Sequence, residues 1–356
     1  MGQNVIERME KVNADVKIAN FIVKQKQDYD FKLRYAEIRA REYVSECEKR
    51  GLNYHVSVGG LDSITLFLFL KSLNIDAPGI SCSRLEDKSI QKIHEELGII
   101  NVPPLKKEDG TTWNKSKIIQ EFGFPVLSKE IAAKIETLQN PTEKNKTVRH
   151  AIITGETGEY GGYRKNTRMK MSQKWLNLFG GYENKNENVN YSVPDFKVSS
   201  KCCYYLKEKP CDDWAKQHNS VPFLGLMASE GGRRAKSLMI NGCNYFGKST
   251  IRSAPFAIFG RQDILQLALD LKVPVPEIYG EIKCKEDGTL YTTKAQRTGC
   301  SMCGFGIHLE KRPHRFDLLK ECNPREWEYW MYKCCTDKNG DKFGWARVLD
   351  YIGVGY

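Results

Sequence analysis

The spacing of apolar positions changes along the chain, and the changes mark out its elements. From residue 1 to about 50, Ile6, Met9, Val12, Phe31, Tyr35 and Ile38 recur at near-helical intervals among many charges, which predicts a helical arm. Asn53-Tyr54-His55-Val56-Ser57-Val58 is a short apolar-rich run that stops at Gly59-Gly60, and an apolar helical pattern resumes over 63–70. Strand, glycine turn and helix follow from that order. A second strand is expected over 77–82, then a helix over 88–97 closed by Gly98. This alternation predicts an α/β fold with a Rossmann-like parallel sheet. Between about 105 and 200 the pattern loosens into polar, glycine-rich loops around a helix at 128–138. Order returns with a strand over 221–227 and an amphipathic helix over 262–272. The expected organisation is an arm (1–50), an α/β core (51–280) with an insertion around 105–200, and a carboxyl-terminal part (281–356) packing on the core.

No apolar run reaches the roughly 18–20 residues that a spanning helix needs, so no membrane partner is expected. The charged amino terminus does not read as a secretory signal, and MGQNVI lacks the sixth-position Ser or Thr of a myristoylation site. A cytoplasmic location is therefore expected. In 356 residues, 55 Lys and Arg against 44 Asp and Glu leave a net charge of +11. Such a field favours anionic partners, with nucleotides, sulfate esters and nucleic acid all eligible. Twelve cysteines in a reducing compartment point to metal or catalytic roles rather than disulfides. They cluster as Cys202-Cys203, Cys211, the C-x-x-C pair Cys300 and Cys303, and Cys334-Cys335; Cys47, Cys82 and Cys284 stand alone as packing or surface residues.

At a strand-to-helix turn, glycines admit a ligand close to the backbone and the first helical amides point at it. Gly59-Gly60-Leu61-Asp62-Ser63 offers two glycines, a carboxylate to organise the turn or hold Mg2+, and a hydroxyl in the first turn. It is neither a Walker A loop nor G-x-G-x-x-G. VSVGGLDSITLFLFL resembles the PP-loop of the adenine-nucleotide alpha-hydrolase superfamily, usually S-G-G-x-D-S, with Ser57 one place early, Val58 in the first Ser position and Leu61 in place of a common Lys. That resemblance implies a grip on the phosphate or sulfate group of PAPS, APS or ATP.

Four thiolates converging from two segments suit either tetrahedral zinc or a cubane iron–sulfur cluster. Adjacent cysteines point different ways, which is awkward for one zinc ion, whereas a cluster offers each sulfur its own iron. Cys211 and Cys243 stand in reserve as further ligands. SSKCCYYLKEKP and RTGCSMCGFG resemble the CC…C-x-x-C pattern of adenylylsulfate reductases. EFGFPVLSKEIAAKI, LMASEGGRRAKSLMINGCN, SAPFAIFGRQDIL and VPEIYGEI extend the resemblance to the phosphoadenosine phosphosulfate (PAPS) reductase family across most of the chain. The resemblance implies a 4Fe-4S cluster on Cys202, Cys203, Cys300 and Cys303, with zinc as the alternative. It also implies anion contacts from Arg233 and Arg234, and from Lys207, which with Lys209 flanks the cysteine pair. Arg164, Lys165, Arg168 and Lys170 form a further basic run, and Asp263 reads as a helix cap.

The same family attacks sulfur with a separate, mobile cysteine in an E-C-G-L-H-like segment, and passes the product to a thioredoxin-like donor. This sequence closes on RVLDYIGVGY; Cys322 is the weak candidate, and His308 and His314 read as packed or surface residues. The leading expectation is thus a PAPS reductase-like oxidoreductase of sulfur metabolism. Two alternatives stand beside it: an ATP-pyrophosphatase-type enzyme of DNA phosphorothioation or tRNA thiolation, and a non-catalytic metal-binding nucleic-acid module. A homo-oligomer is possible in any of these readings.

Overall fold

The computed structural model describes residues 2–157, 169–182 and 191–356, without the side chains of 2–12 and 232–234. The chain divides into two units, one of residues 1–103 and 210–299, the other of 104–209 and 300–356. These divisions differ from the boundaries drawn on the sequence. The stretch read as an insertion joins the carboxyl-terminal segment because the two share one apolar core, containing Phe124, Phe179, Phe316, Met331 and Trp345. Polar composition over 105–200 concealed the helices Lys115–Phe122, Lys146–Thr154 and Gln173–Phe179, each too short to show more than about two turns of a helical pattern in sequence.

The first unit is built on a six-stranded, mostly parallel sheet. Its strands lie in the order Ile100–Asn101, Gly79–Ser81, Asn53–Ser57, Ser220–Leu224, Ile251–Ser253 and Asn244–Phe246, the last antiparallel. Asn53–Ser57 is interior, Val56 standing level with Gly79 on one side and Phe223 on the other. Burial on both faces explains its run of His55 and Val56 in place of alternation. Helices Gly2–Gln25 and Tyr29–Lys49 occupy the stretch read as an arm and belong to this unit, the second capped by Asp28 and packing Tyr43 and Cys47 into the core. The apolar Leu61–Ser72 helix leaves the end of Asn53–Ser57 and is buried along most of its length.

In the second unit, helices replace an extended sheet. Lys129–Gln139 starts on Ser128, whose side chain accepts from the Ile131 amide. A short strand, Val126–Leu127, pairs in parallel with Gly304–Phe305. Among the described residues no helix is long and apolar enough to cross a membrane.

Candidate functional site

In the first unit the glycine turn follows Ser57, the last residue of its strand. The Gly59 amide donates to Ser63 Oγ (2.7 Å), which donates to the Gly60 carbonyl (2.8 Å). The Leu61 amide, first in the helix, donates to the Tyr279 hydroxyl (3.1 Å), itself 2.7 Å from Thr298 Oγ1. Glycine at position 60 leaves room for this close approach, since an added Cβ would collide with Tyr279 Oη and stand 2.9 Å from Thr298 Oγ1 unless those side chains shifted. His94 Nε2 holds the Gly59 carbonyl at 2.8 Å and must carry the proton, because a carbonyl only accepts. Its Nδ1 therefore accepts from Ser83 Oγ, also at 2.8 Å.

Asp62 is paired with Arg261, which donates in addition to the Gln296 carbonyl (3.2 Å). Burial pushes the Asp62 carboxyl above its usual range, against the opposing pull of Arg261 and Arg297. These groups, with Met227, Ser229, Glu230 and Arg297, line a cavity of about 220 Å³. Arg297 pairs with Glu230 at 3.6 Å. Two arginines and a helix start give the unit the chemistry to hold an anion. Asp263 caps its helix, accepting from the Gly260 amide (2.6 Å) and pairing with Lys32 (2.8 Å).

In the second unit a three-stranded patch of backbone joins the cysteine pairs. Along one flank of residues 124–127, Phe124 N–H donates to the Lys197 carbonyl (2.9 Å) and Ser199 N–H to that of Phe124 (3.1 Å). That flank leads into Lys201–Cys203, where Ser199 Oγ accepts from the Lys201 amide (3.0 Å). Along the other flank, Gly304 and Phe305 pair with Val126 and Leu127, fixing the turn in which the Cys303 amide donates to the Cys300 carbonyl (3.1 Å). The central segment and the C-x-x-C turn each carry a left-handed non-glycine residue, Leu127 (φ 66°) and Met302 (φ 50°), and both side chains are buried in the core. Packing thus holds a backbone that costs roughly 1–3 kcal/mol per residue. Beyond Cys203, Tyr204–Glu208 is a π-helical turn, a rare feature that is frequent at functional sites.

Cys202, Cys203, Cys300 and Cys303 line one small cavity together with Lys115, Lys207, Pro125, Leu206 and Phe305. Lys115 also donates to the Ser301 carbonyl and lies over the Trp330 ring, 4.8 Å from its centroid. Burial pushes the Cys202 thiol up to about 12 and Cys203 up to about 11, and pulls Lys115 down against the opposing effect of the thiolates. Among the described residues no three His, Cys, Asp or Glu side chains are grouped to hold a single metal ion.

The structure brings Gly59, Gly60, Asp62 and Ser63 together at one turn and the four expected cysteines together at one cavity. Lys207 lines the cysteine cavity. The side chains of Arg233 and Arg234 lie outside the described residues, as do Arg164, Lys165 and Arg168. Of the reserve ligands, Cys211 faces Cys82 and Cys243 is buried in the sheet unit, so neither lines the cysteine cavity. Cys322 is exposed at the end of Arg315–Cys322, away from the cavity lining, and His314 caps that helix. Sequence reasoning missed Tyr279, Arg261, Arg297, His94 and Lys115. Each approaches its site from a distant segment, and Arg261, Tyr279 and Arg297 fall in stretches that carry the family resemblance. Comparison of the chain with family models, curated proteins and solved structures finds no match.

Proposed function

We propose that the protein is a PAPS reductase-like enzyme, with an adenine-nucleotide alpha-hydrolase-type core that binds a sulfonucleotide and a 4Fe-4S cluster held by Cys202, Cys203, Cys300 and Cys303. The observation that carries this reading is the lining of one cavity by four thiols drawn from segments almost a hundred residues apart. The donor set fits a cluster: all four candidate ligands are sulfur, and two lysines line the same wall. When bound, such a cluster supplies a compact charged centre that tunes the electrostatics of sulfur chemistry.

The chain's own groups have separable tasks. Arg261 and Arg297 line a cavity large enough for part of a nucleotide and suit its anionic oxygens. The Leu61 amide is available to an anion once the Tyr279 hydroxyl moves aside. His94 fixes the Gly59 carbonyl so that the turn keeps its shape. Lys115 and Lys207 offset negative charge at the cysteine wall.

A second reading rests on Cys322, which does not line the cysteine cavity and leaves the thiol that would attack sulfur unassigned. In that reading the turn binds ATP with Mg2+, the enzyme releases pyrophosphate, and the acceptor is DNA or tRNA. Sulfite release from adenylyl sulfate, with or without a 3′-phosphate and with thioredoxin as reductant, is the test of the first reading. Pyrophosphate release from ATP stimulated by nucleic acid, without sulfite release, would replace it with the second.

A further inference from the structure

Cys82 and Cys211 meet in the first unit and line neither of the cavities described above. Cys82 follows the Gly79–Ser81 strand and is buried, while Cys211 is half-buried on the Lys209–Gln217 helix. Their sulfurs are 3.7 Å apart. Ile80, Val102, Leu85 and Trp214 pack in the same apolar cluster. The pair joins elements 129 residues apart in sequence, and Cys211 is the less buried of the two residues. The contrasting pair, Cys334 and Cys335, has its sulfurs 3.9 Å apart, but both residues are buried and offer no entry to an exchange partner.

We propose that Cys82 and Cys211 form a redox-active dithiol that exchanges with small disulfides of the glutathione class. The more accessible Cys211 thiolate attacks one sulfur of the disulfide, forming a mixed disulfide and releasing one thiolate. Cys82, having lost its proton, then attacks the Cys211 sulfur, forming the Cys82–Cys211 bond and releasing the second thiolate. The protein loses two electrons and two protons, and the small disulfide becomes two thiols. The bond ties the end of the Gly79–Ser81 strand to the Lys209–Gln217 helix. Because Ser83 follows Cys82 directly and bonds His94, oxidation also stiffens the support of the Gly59 carbonyl. This inference is independent of which nucleotide, if any, the glycine turn binds.

The test equilibrates the folded, full-length protein in buffers of graded reduced-to-oxidised glutathione ratio, quenches with acid, alkylates, digests and reads the peptides by mass spectrometry. The expected result is a Cys82–Cys211 linked peptide that accumulates with oxidation and disappears on return to reduced glutathione. Cys211→Ser should abolish the link, and Cys82→Ser should trap glutathione on Cys211. Should Cys82→Ser fail to fold, the reversible link in the wild type remains decisive. Both thiols alkylated in folded wild-type protein at full oxidation would overturn the proposal. So would a link that forms only after denaturation.

Discussion

In the sheet unit the polar groups of the glycine turn are answered from within the protein: Gly59 by Ser63, Leu61 by Tyr279, Asp62 by Arg261. In the helical unit four thiols face one cavity beside lysines, and burial holds Cys202 and Cys203 in their neutral forms. A ligand of the turn therefore displaces protein hydrogen bonds, and its binding free energy is reduced by what those bonds contributed. A ligand of the sulfur wall instead supplies positive charge to groups that otherwise must stay protonated, so loading releases protons and adds to stability. The first arrangement folds complete and can wait for a substrate; the second gains most from a resident cofactor.

The sharpest break between the two regions is removal of a sulfur. Cys303→Ala should abolish the iron–sulfur absorbance while adenine-nucleotide binding, followed by calorimetry, changes less than about threefold. Loss of both together would mean that the regions are not separable.

A smaller effect, confined to the sheet unit, comes from His55. Burial, and secondarily His218, lowers its pKa to about 4, and its Nδ1 is 2.7 Å from Ser220 Oγ. The unfolded imidazole, near 6.5, takes up a proton at higher pH than the folded one. The contribution of neutral His55 is thus fully present above pH 6.5 and is lost as pH falls towards 4, by up to about 3 kcal/mol. Urea unfolding at pH 7.5 and 4.5 should show this decline, and His55→Gln should flatten it.

Gly60→Ala probes the turn itself. Its Cβ would collide with the Tyr279 and Thr298 hydroxyls, with an expected loss of about 1–3 kcal/mol. Tyr279→Phe in the same chain should recover part of that loss in thermal unfolding. Recovery of none would mean that the close approach to Tyr279 is not what selects glycine.

The smallest expected change is in Arg261→Met. The Arg261–Asp62 side chains are 29% and 27% exposed, so stability should fall by less than about 1 kcal/mol, while affinity for an adenine nucleotide should fall more clearly, roughly tenfold, or about 1.4 kcal/mol.

Local patterns carried much of the sheet unit into the sequence. Asn53–Ser57, the Leu61–Ser72 helix and the Arg261–Asp270 helix each announce themselves by an apolar run or period bounded by glycine or a capping residue. The α/β class with its mostly parallel sheet followed from that alternation. The helical unit was less legible because its elements are short and its core is assembled from both ends, Phe124 meeting Trp345 at 5.0 Å. The C-x-x-C spacing of Cys300 and Cys303 marked half of a thiolate site, and the resemblance to adenylylsulfate reductases added Cys202 and Cys203 as the other half. Lys115 was not legible, since nothing in WNKSKII distinguishes a lysine aimed at sulfur from one facing water. Tyr279 was hidden for a similar reason: its role depends on a hydroxyl arriving over Gly60 from 219 positions away.

The account stands most directly on what the sulfur wall holds. Protein purified without oxygen should carry about four iron and four acid-labile sulfide per chain, and each of Cys202→Ala, Cys203→Ala, Cys300→Ala and Cys303→Ala should lose them. Stoichiometric zinc without sulfide, or iron retained after any two of those substitutions are combined, would contradict it.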